Sequence, residues 1–191
     1  YTMVVKSLPT FLHETAMWSN GFNVLGLDEA GRGAFAGPLA VGGVIFSKEI
    51  SDKVLQLGVN DSKLLSPKKR EELFEEIKSN SLFSHVEFID LDTINSIGIG
   101  KATLLGMKNI YERAEKTLGN IFCMIDAFKI PEVVNQKAII HGDRLSVSIA
   151  AASILAKVER DRLMSKLAVE FPNYGFEIHK GYGTLAHRNV L

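Results

Sequence analysis

The sequence predicts an α/β fold: a mixed sheet of about five strands flanked by helices. Three observations carry that reading. Short apolar runs recur along the chain with little alternation, as in strands buried on both faces. Between them lie segments with apolar residues at helical spacing, so strands and helices alternate after an opening pair of strands. Several of the apolar runs close on a carboxylate, and open α/β sheets gather their ligands at the C-terminal ends of strands. The 191 residues, 46% of them hydrophobic, suffice for one packed domain over 1–191, with 1–20 a candidate N-terminal extension.

Taken in order, Phe11, Leu12 and Trp18 are placed to pack as a short helix. Residues 22–28 form the first strand; Pro38 restarts the chain, and 39–46 form the second. A hairpin joins the two, and Gly42-Gly43 marks a bulge or the close approach of another element. A short helix covers 50–57. Ser66 before Pro67 is an N-cap followed by proline at the first helical position. Leu73, Phe74 and Ile77 give that helix an apolar face through residue 78. The third strand is 84–89. Residues 92–116 are helical, and their glycines divide them into two helices. The wholly apolar 121–125 is a central fourth strand ending at Asp126; 138–141 is the fifth, followed by Gly142-Asp143. The longest helix is 146–170, small-residue-rich over 149–156, emerging into solvent at Lys157 and ended by Pro172. Residues 174–191 form a polar, aromatic loop with a last helical turn.

Lys+Arg and Asp+Glu number 22 each, so the net charge is zero. A nucleic-acid partner must therefore be gripped by a local patch, with the acids gathered elsewhere. The single cysteine, Cys123, sits in an apolar run as a packing residue, which fits a reducing compartment. Residues 1–20 include Lys6, His13 and Glu14 and lack the apolar core of a signal peptide. The uncharged stretch 34–46 is too short to span a bilayer. A cytoplasmic monomer with no membrane partner is expected.

The chemistry concentrates in Leu27-Asp28-Glu29-Ala30-Gly31-Arg32-Gly33. Adjacent carboxylates repel, and a hard divalent cation, Mg²⁺ or Mn²⁺, supplies a reason for them. Asp126 and Asp143 bring the strand-end acids to four. Two ions about 3.5–4 Å apart hold the attacking water and the leaving oxygen of a phosphoryl displacement. Asp28 and Glu29 point to opposite faces of a regular strand. Both reach one cleft only if the strand kinks or the longer Glu29 bends round. Asp161 competes with Asp143, but Lys157 four residues earlier offers it an ion pair. The glycines of Gly31-Arg32-Gly33 let the backbone approach a phosphate closely. Tyr182, among Lys180, Gly181, Gly183 and Thr184, reads as a ring for stacking on a nucleotide. Lys68, Lys69 and Arg70 read as a solvated face, and His179 and His187 as surface polar residues.

Together these segments resemble ribonuclease HII, the type 2 ribonuclease H. The resemblance runs through Gly26-Leu27-Asp28-Glu29-Ala30-Gly31-Arg32-Gly33 with Ala36-Gly37-Pro38, Asp61-Ser62-Lys63 with 65–70, Ile125-Asp126, Gly142-Asp143, and 148–161. It ends on Tyr174-Gly175-Phe176 and 179–184, all in the family's order. It implies a ribonuclease H-like fold and cleavage of the RNA strand of an RNA–DNA hybrid. Cleavage 5′ of a single ribonucleotide embedded in duplex DNA, with 3′-hydroxyl and 5′-phosphate ends, is included, as is a part in ribonucleotide excision repair and DNA replication. The family's metal-binding acids fall on Asp28, Glu29, Asp126 and Asp143. Its 2′-hydroxyl sensor falls on Gly31, Arg32 and Gly33, and its stacking tyrosine on Tyr182. Lys63 is the expected phosphate contact. Ala34-Phe35 departs from the family's usual residues and is read as a packing variant. Type 3 enzymes carry threonine where Arg32 stands. Two readings remain beside this one: a metal-dependent DNA nuclease or resolvase of similar fold, and a non-catalytic hybrid-binding module.

Overall fold

Five strands, β1 (Asn23–Ala30), β2 (Leu39–Ile45), β3 (Phe83–Ile89), β4 (Ile121–Asp126) and β5 (Gln136–Ile139), form one sheet in the order β3-β2-β1-β4-β5. The computed structural model describes residues 8–191; the part of the expected N-terminal extension before residue 8 lies outside the described residues. Among the described residues eight α-helices accompany the strands: α1 (Leu12–Trp18), α2 (Ser51–Gln56), α3 (Pro67–Asn80), α4 (Leu91–Ile97), α5 (Ile99–Leu118), α6 (Val147–Glu170), α7 (Phe176–His179) and α8 (Leu185–Arg188). The first three strands run antiparallel as a meander, and β4 and β5 lie parallel to β1. The middle strand is therefore β1 rather than β4.

Two layers of helix enclose the sheet. On one face, Met107 and Ile110 of α5 pack with Leu25, Leu27, Val41 and Ile125. On the other, the small residues of α6 and Leu73, Phe74 and Ile77 of α3 pack with Val44 and Phe46. Each fully buried Leu, Ile or Phe contributes about 1.5–3 kcal/mol. Residues 147–156 of α6 are all buried, and the helix meets solvent at Lys157, as its composition predicts. Gly42 is a close approach rather than a bulge. A Cβ there would lie 2.2 Å from the Ala152 carbonyl oxygen, and one on Gly26 would lie 2.2 Å from Ser148. The two glycines let α6 lie directly on β1 and β2.

Other boundaries differ from expectation for local reasons. β1 runs on to Ala30 because β2 pairs with it that far, whereas its parallel pairing with β4 stops at Leu27–Ile125. Asp28 and Glu29 thus lie past the end of the parallel pair but inside the strand. β5 starts and ends two residues earlier than predicted. Ile140 is exposed and His141 adopts left-handed φ of 57°, so the chain leaves the sheet there for a 3-10 turn, Gly142–Arg144. In the N-terminal helix Phe11 is the buried anchor, its ring 5.2 Å from Trp18, while Leu12 is exposed. Gly98, at φ 82°, separates α4 from α5 as the glycines predict. Among the described residues no helix is long and apolar enough to cross a membrane.

Candidate active site

Alternation along β1 decides where its acids go. Leu25 and Leu27 face α5 and Gly26 faces α6, so Asp28 leaves on the α6 side and Glu29 on the other. Met124 packs with Ile149 of α6, which puts Asp126, two residues on, on Asp28's side. The β1–β2 register is unbroken from Leu25 to Ala30, so the strand does not kink. The charge of Asp126 nonetheless reaches both β1 acids. One hydrogen bond, from the Gly142 N–H to Asp126 Oδ1 at 2.8 Å, ties β4 to the turn that carries Asp143. That route needs two left-handed non-glycine residues, Ala127 and His141, at about 1–2 kcal/mol each.

The acids sit in mutual tension. Burial, then the charges of Glu29 and Asp126, push the Asp28 carboxyl well above its ordinary range. Glu29 is pushed up to about 6, by burial first and by Asp126, against the pull of Arg32. Asp143 is raised by burial, Asp61 and Asp126. For Lys63, desolvation is outweighed by Asp143, then Asp28, so the ammonium holds its proton more tightly; its Nζ lies 3.7 Å from Asp143 Oδ2. Glu29 Oε2 is buried with no hydrogen-bond partner. Among the described residues no three acidic, histidine or cysteine side chains are drawn into a ready metal-ligand cluster. The expected convergence is thus a shared neighbourhood rather than a closed shell, as mutual repulsion dictates. Hard oxygen donors with one left unpartnered fit a divalent cation such as Mg²⁺ or Mn²⁺.

Beside Glu29 opens a cleft of 560 Å³, bounded by Gly31, Arg32, Gly33, Lys63, Lys157 and Tyr182. The two glycines of the turn differ. Gly31 has φ of 100°, and a Cβ on it would lie 2.1 Å from Arg160 Nε. At Gly33 a Cβ would meet nothing within 4 Å. The Arg32 guanidinium lies 4.5 Å over the Phe128 ring. Tyr182 is half-buried, with Lys157 Nζ and Arg160 Cζ 5.0 and 5.2 Å from its ring centre. Its loop and the chain after the turn are joined: the Phe35 and Ala36 N–H groups both donate to the Gly181 carbonyl, and Ala34 bridges Tyr182. The Phe35 ring lies where a side chain on Gly183 would stand, while Phe35 itself is 60% exposed.

The histidine expectation is overturned. His179 and His187 are buried, and their rings stack at 4.2 Å between centres. His179 donates from Nε2 to the Tyr174 carbonyl and accepts the Gly181 N–H at Nδ1; His187 donates from Nδ1 to the Tyr182 carbonyl. They pin the tyrosine loop. Arg70 likewise is no solvated cation. It donates to the Ser62 and Leu65 carbonyls, while Lys68 and Lys69 stay exposed. Asp61 is buried, accepts the Lys63 N–H and the Arg144 Nε–H, and so holds the Ser62–Leu64 turn that presents Lys63. Asp161 forms the expected pair with Lys157, at 2.8 Å. Arg160, fully buried, escaped the sequence reading. Its signal was spacing: Ala152, Ala156 and Arg160 recur every four residues, on the stripe of α6 that lies against β2.

Acids grouped about the middle strand of a mixed sheet, beside a cleft edged with cations, put the chain in the class of ribonuclease H-like, metal-dependent nucleases. A family model described as Ribonuclease HII matches residues 25–191. The chain is 49% identical to the ribonuclease HII of Caldicellulosiruptor saccharolyticus over 88% of its own length and 80% of that protein's. It is 45% identical to that of Dehalococcoides mccartyi, over 94% and 84%. Among solved structures it resembles the ribonuclease HII of a PCNA:RNase HII complex from Archaeoglobus fulgidus, with a TM-score of 0.70 and 32% identity over 88% and 86% of the two chains. A Bst-RNase HIII in complex with Mn²⁺, 18% identical with a TM-score of 0.70 over 88% and 64%, shares the fold. The chain belongs to the ribonuclease HII family: it is a metal-dependent endoribonuclease of a family acting on RNA–DNA hybrids.

Proposed function

We propose that this enzyme cuts the RNA strand of hybrids and also nicks duplex DNA on the 5′ side of a single embedded ribonucleotide, as ribonucleotide excision repair requires. Asp28, Glu29, Asp126 and Asp143 hold its divalent ions, Mg²⁺ or Mn²⁺. When bound, these ions neutralise charge on the scissile phosphate and so lower the barrier to hydrolysis. The observation that carries the reading is the adjacency of two things: acids whose pKa values are raised by burial and then by neighbouring carboxylates, and a cleft that Glu29 lines together with Gly31, Arg32, Gly33 and Tyr182.

The side chains divide the work. Lys63, kept protonated by the surrounding acids and anchored through the Asp61 turn, contacts a backbone phosphate. Arg32, steadied over Phe128, holds positive charge beside Glu29. The open space at Gly33 admits the ribose, whose 2′-hydroxyl distinguishes RNA from DNA. Tyr182 stacks on the nucleotide at the junction. Water adds to phosphorus, the bond to the 3′-oxygen breaks, and the ends are a 3′-hydroxyl and a 5′-phosphate. Beyond Lys157 and Tyr182 lies a groove of 640 Å³, lined by Arg70, Arg162 and Lys180 and also by Glu71, Asp161 and Glu177, which pair with several of these cations or stand beside them.

The test is to incubate the protein and Mg²⁺ with a duplex bearing one ribonucleotide, and with its all-DNA counterpart, and to map the cut. A single nick 5′ of the ribonucleotide, with the all-DNA duplex intact, is expected. Cleavage of the all-DNA duplex favours the resolvase-like alternative and overturns the ribose-reading assignment.

A further inference from the structure

Among the described residues Arg160 is the largest side chain that the fold buries completely. A guanidinium is expensive to desolvate, and a well-packed apolar side chain in its place is often neutral or stabilising. Charge balance does not account for it. Asp161, its neighbour in sequence, pairs with Lys157 and Arg70 instead. All three hydrogen-bond partners of Arg160 are main-chain carbonyls: Nε donates to Pro38 at 2.9 Å, Nη2 to Ala36 at 2.9 Å and Nη1 to Lys180 at 2.8 Å. These carbonyls belong to two segments far apart in sequence, one following the Gly31-Arg32-Gly33 turn and one leading into Tyr182. The same group lies against Gly31, whose missing side chain makes room for it, and 5.2 Å from the centre of the Tyr182 ring. A planar fork with donors at fixed angles does this; neither a flexible ammonium nor an apolar side chain does.

We propose that Arg160 is a specificity-determining positioning residue. Its fork holds the Gly31-Arg32-Gly33 turn and Tyr182 at one separation, so that a ribonucleotide is read by both at once. The inference rests on the proposed role of the turn and of Tyr182 in reading the ribose. Arg160 itself does not touch the substrate, because it is buried beneath both. The direct bonds from Phe35 and Ala36 to Gly181 join the same two segments in parallel, and Arg160 sets their angle.

The test is a double-mutant cycle on a duplex bearing one ribonucleotide. Single-turnover rate and substrate Kd are measured for wild type, R160K, Y182A and the double variant, with folding checked by circular dichroism. Lysine keeps the charge but loses the fork. R160K and Y182A should each slow the cut by about 10- to 100-fold. The double variant should be no slower than the slower single variant, because both changes disable one device. Losses that multiply, or an R160K that cuts at the wild-type rate beside a slow Y182A, overturn the role of Arg160 and leave that of Tyr182 standing. A Y182A that cuts at the wild-type rate overturns the ribose-reading assignment beneath the inference. If R160K does not fold, native-state hydrogen exchange on the unaltered protein decides. The amides of Phe35, Ala36 and Tyr182 should share one opening free energy, and separate openings overturn the proposal.

Discussion

The four acids and the unit proposed to read the ribose meet at one cleft, which Glu29 alone of the acids lines, and they are held in opposite ways. Among the acids, burial and then neighbouring carboxylates raise the pKa of Asp28 and Glu29, and a buried oxygen of Glu29 has no partner. In the unit, the carbonyls of Ala36, Pro38, Lys180, Gly181 and Tyr182 all receive donors. Asp28, Glu29 and Asp126 ride on a rigid sheet and Asp143 on a turn bonded to Asp126, which keeps them close in spite of repulsion. The turn and the tyrosine ride on loops, which become rigid only through mutual bonds. One region stores tension that a cation relieves; the other is held by its own hydrogen bonds, with His187 Nε2 buried and without a partner.

The contrast breaks most sharply at Asp126. Asp126→Asn should lower the single-turnover rate by about 1,000-fold or more while hybrid binding, followed by anisotropy, is largely kept; near-wild-type turnover in Mg²⁺ contradicts the metal assignment. Gly31→Ala tests the other side. Its Cβ would collide with Arg160 at a φ of 100°, so urea unfolding should show a loss of about 2–4 kcal/mol. Gly33→Ala sharpens the comparison, because only substrate can object to that methyl group. Stability should stay within about 0.5 kcal/mol of wild type, while cleavage beside a single ribonucleotide drops about tenfold; unchanged cleavage refutes the open space as a ribose site.

The smallest effect runs the other way. Asp28→Asn should raise the stability of the metal-free protein at about pH 8, by about 1 kcal/mol. The sign follows from the direction of the shift. A carboxyl whose pKa is raised by folding stabilises the fold below its unfolded value and loses that contribution as pH rises through the folded one. For Glu29 the window runs from 4.5 to about 6, and Asp28 is raised in the same direction. The gain from Asp28→Asn should therefore shrink toward about pH 4. A gain independent of pH points to packing instead.

What the sequence disclosed follows the same division. Apolar runs and caps carry local signals, so four strands and the Ser66–Pro67 helix start were legible. β5 was displaced because Gln136 and Lys137 pair in the sheet while the more apolar Ile140 leaves it. The acids were legible because carboxylates closing apolar runs violate the ordinary pattern. Arg160 and Asp61 were not, since Lys180, Ala36, Pro38 and Arg144 reach them from far along the chain; His179 and His187 were not, since their partners are nearby main-chain groups and each other's ring, which no residue type announces. A polar residue that the fold buries looks, in a sequence, like one that it exposes.

The most direct measurement is the change in thermal midpoint on adding millimolar Mn²⁺ to the substrate-free protein at about pH 8 and at about pH 5. The account predicts a rise at the higher pH. That rise should shrink at the lower, where protons compete at Glu29, whose pKa is about 6, and vanish in Asp126→Asn. No rise at the higher pH, or a rise equal at both and kept by Asp126→Asn, contradicts a pocket held in tension for a cation.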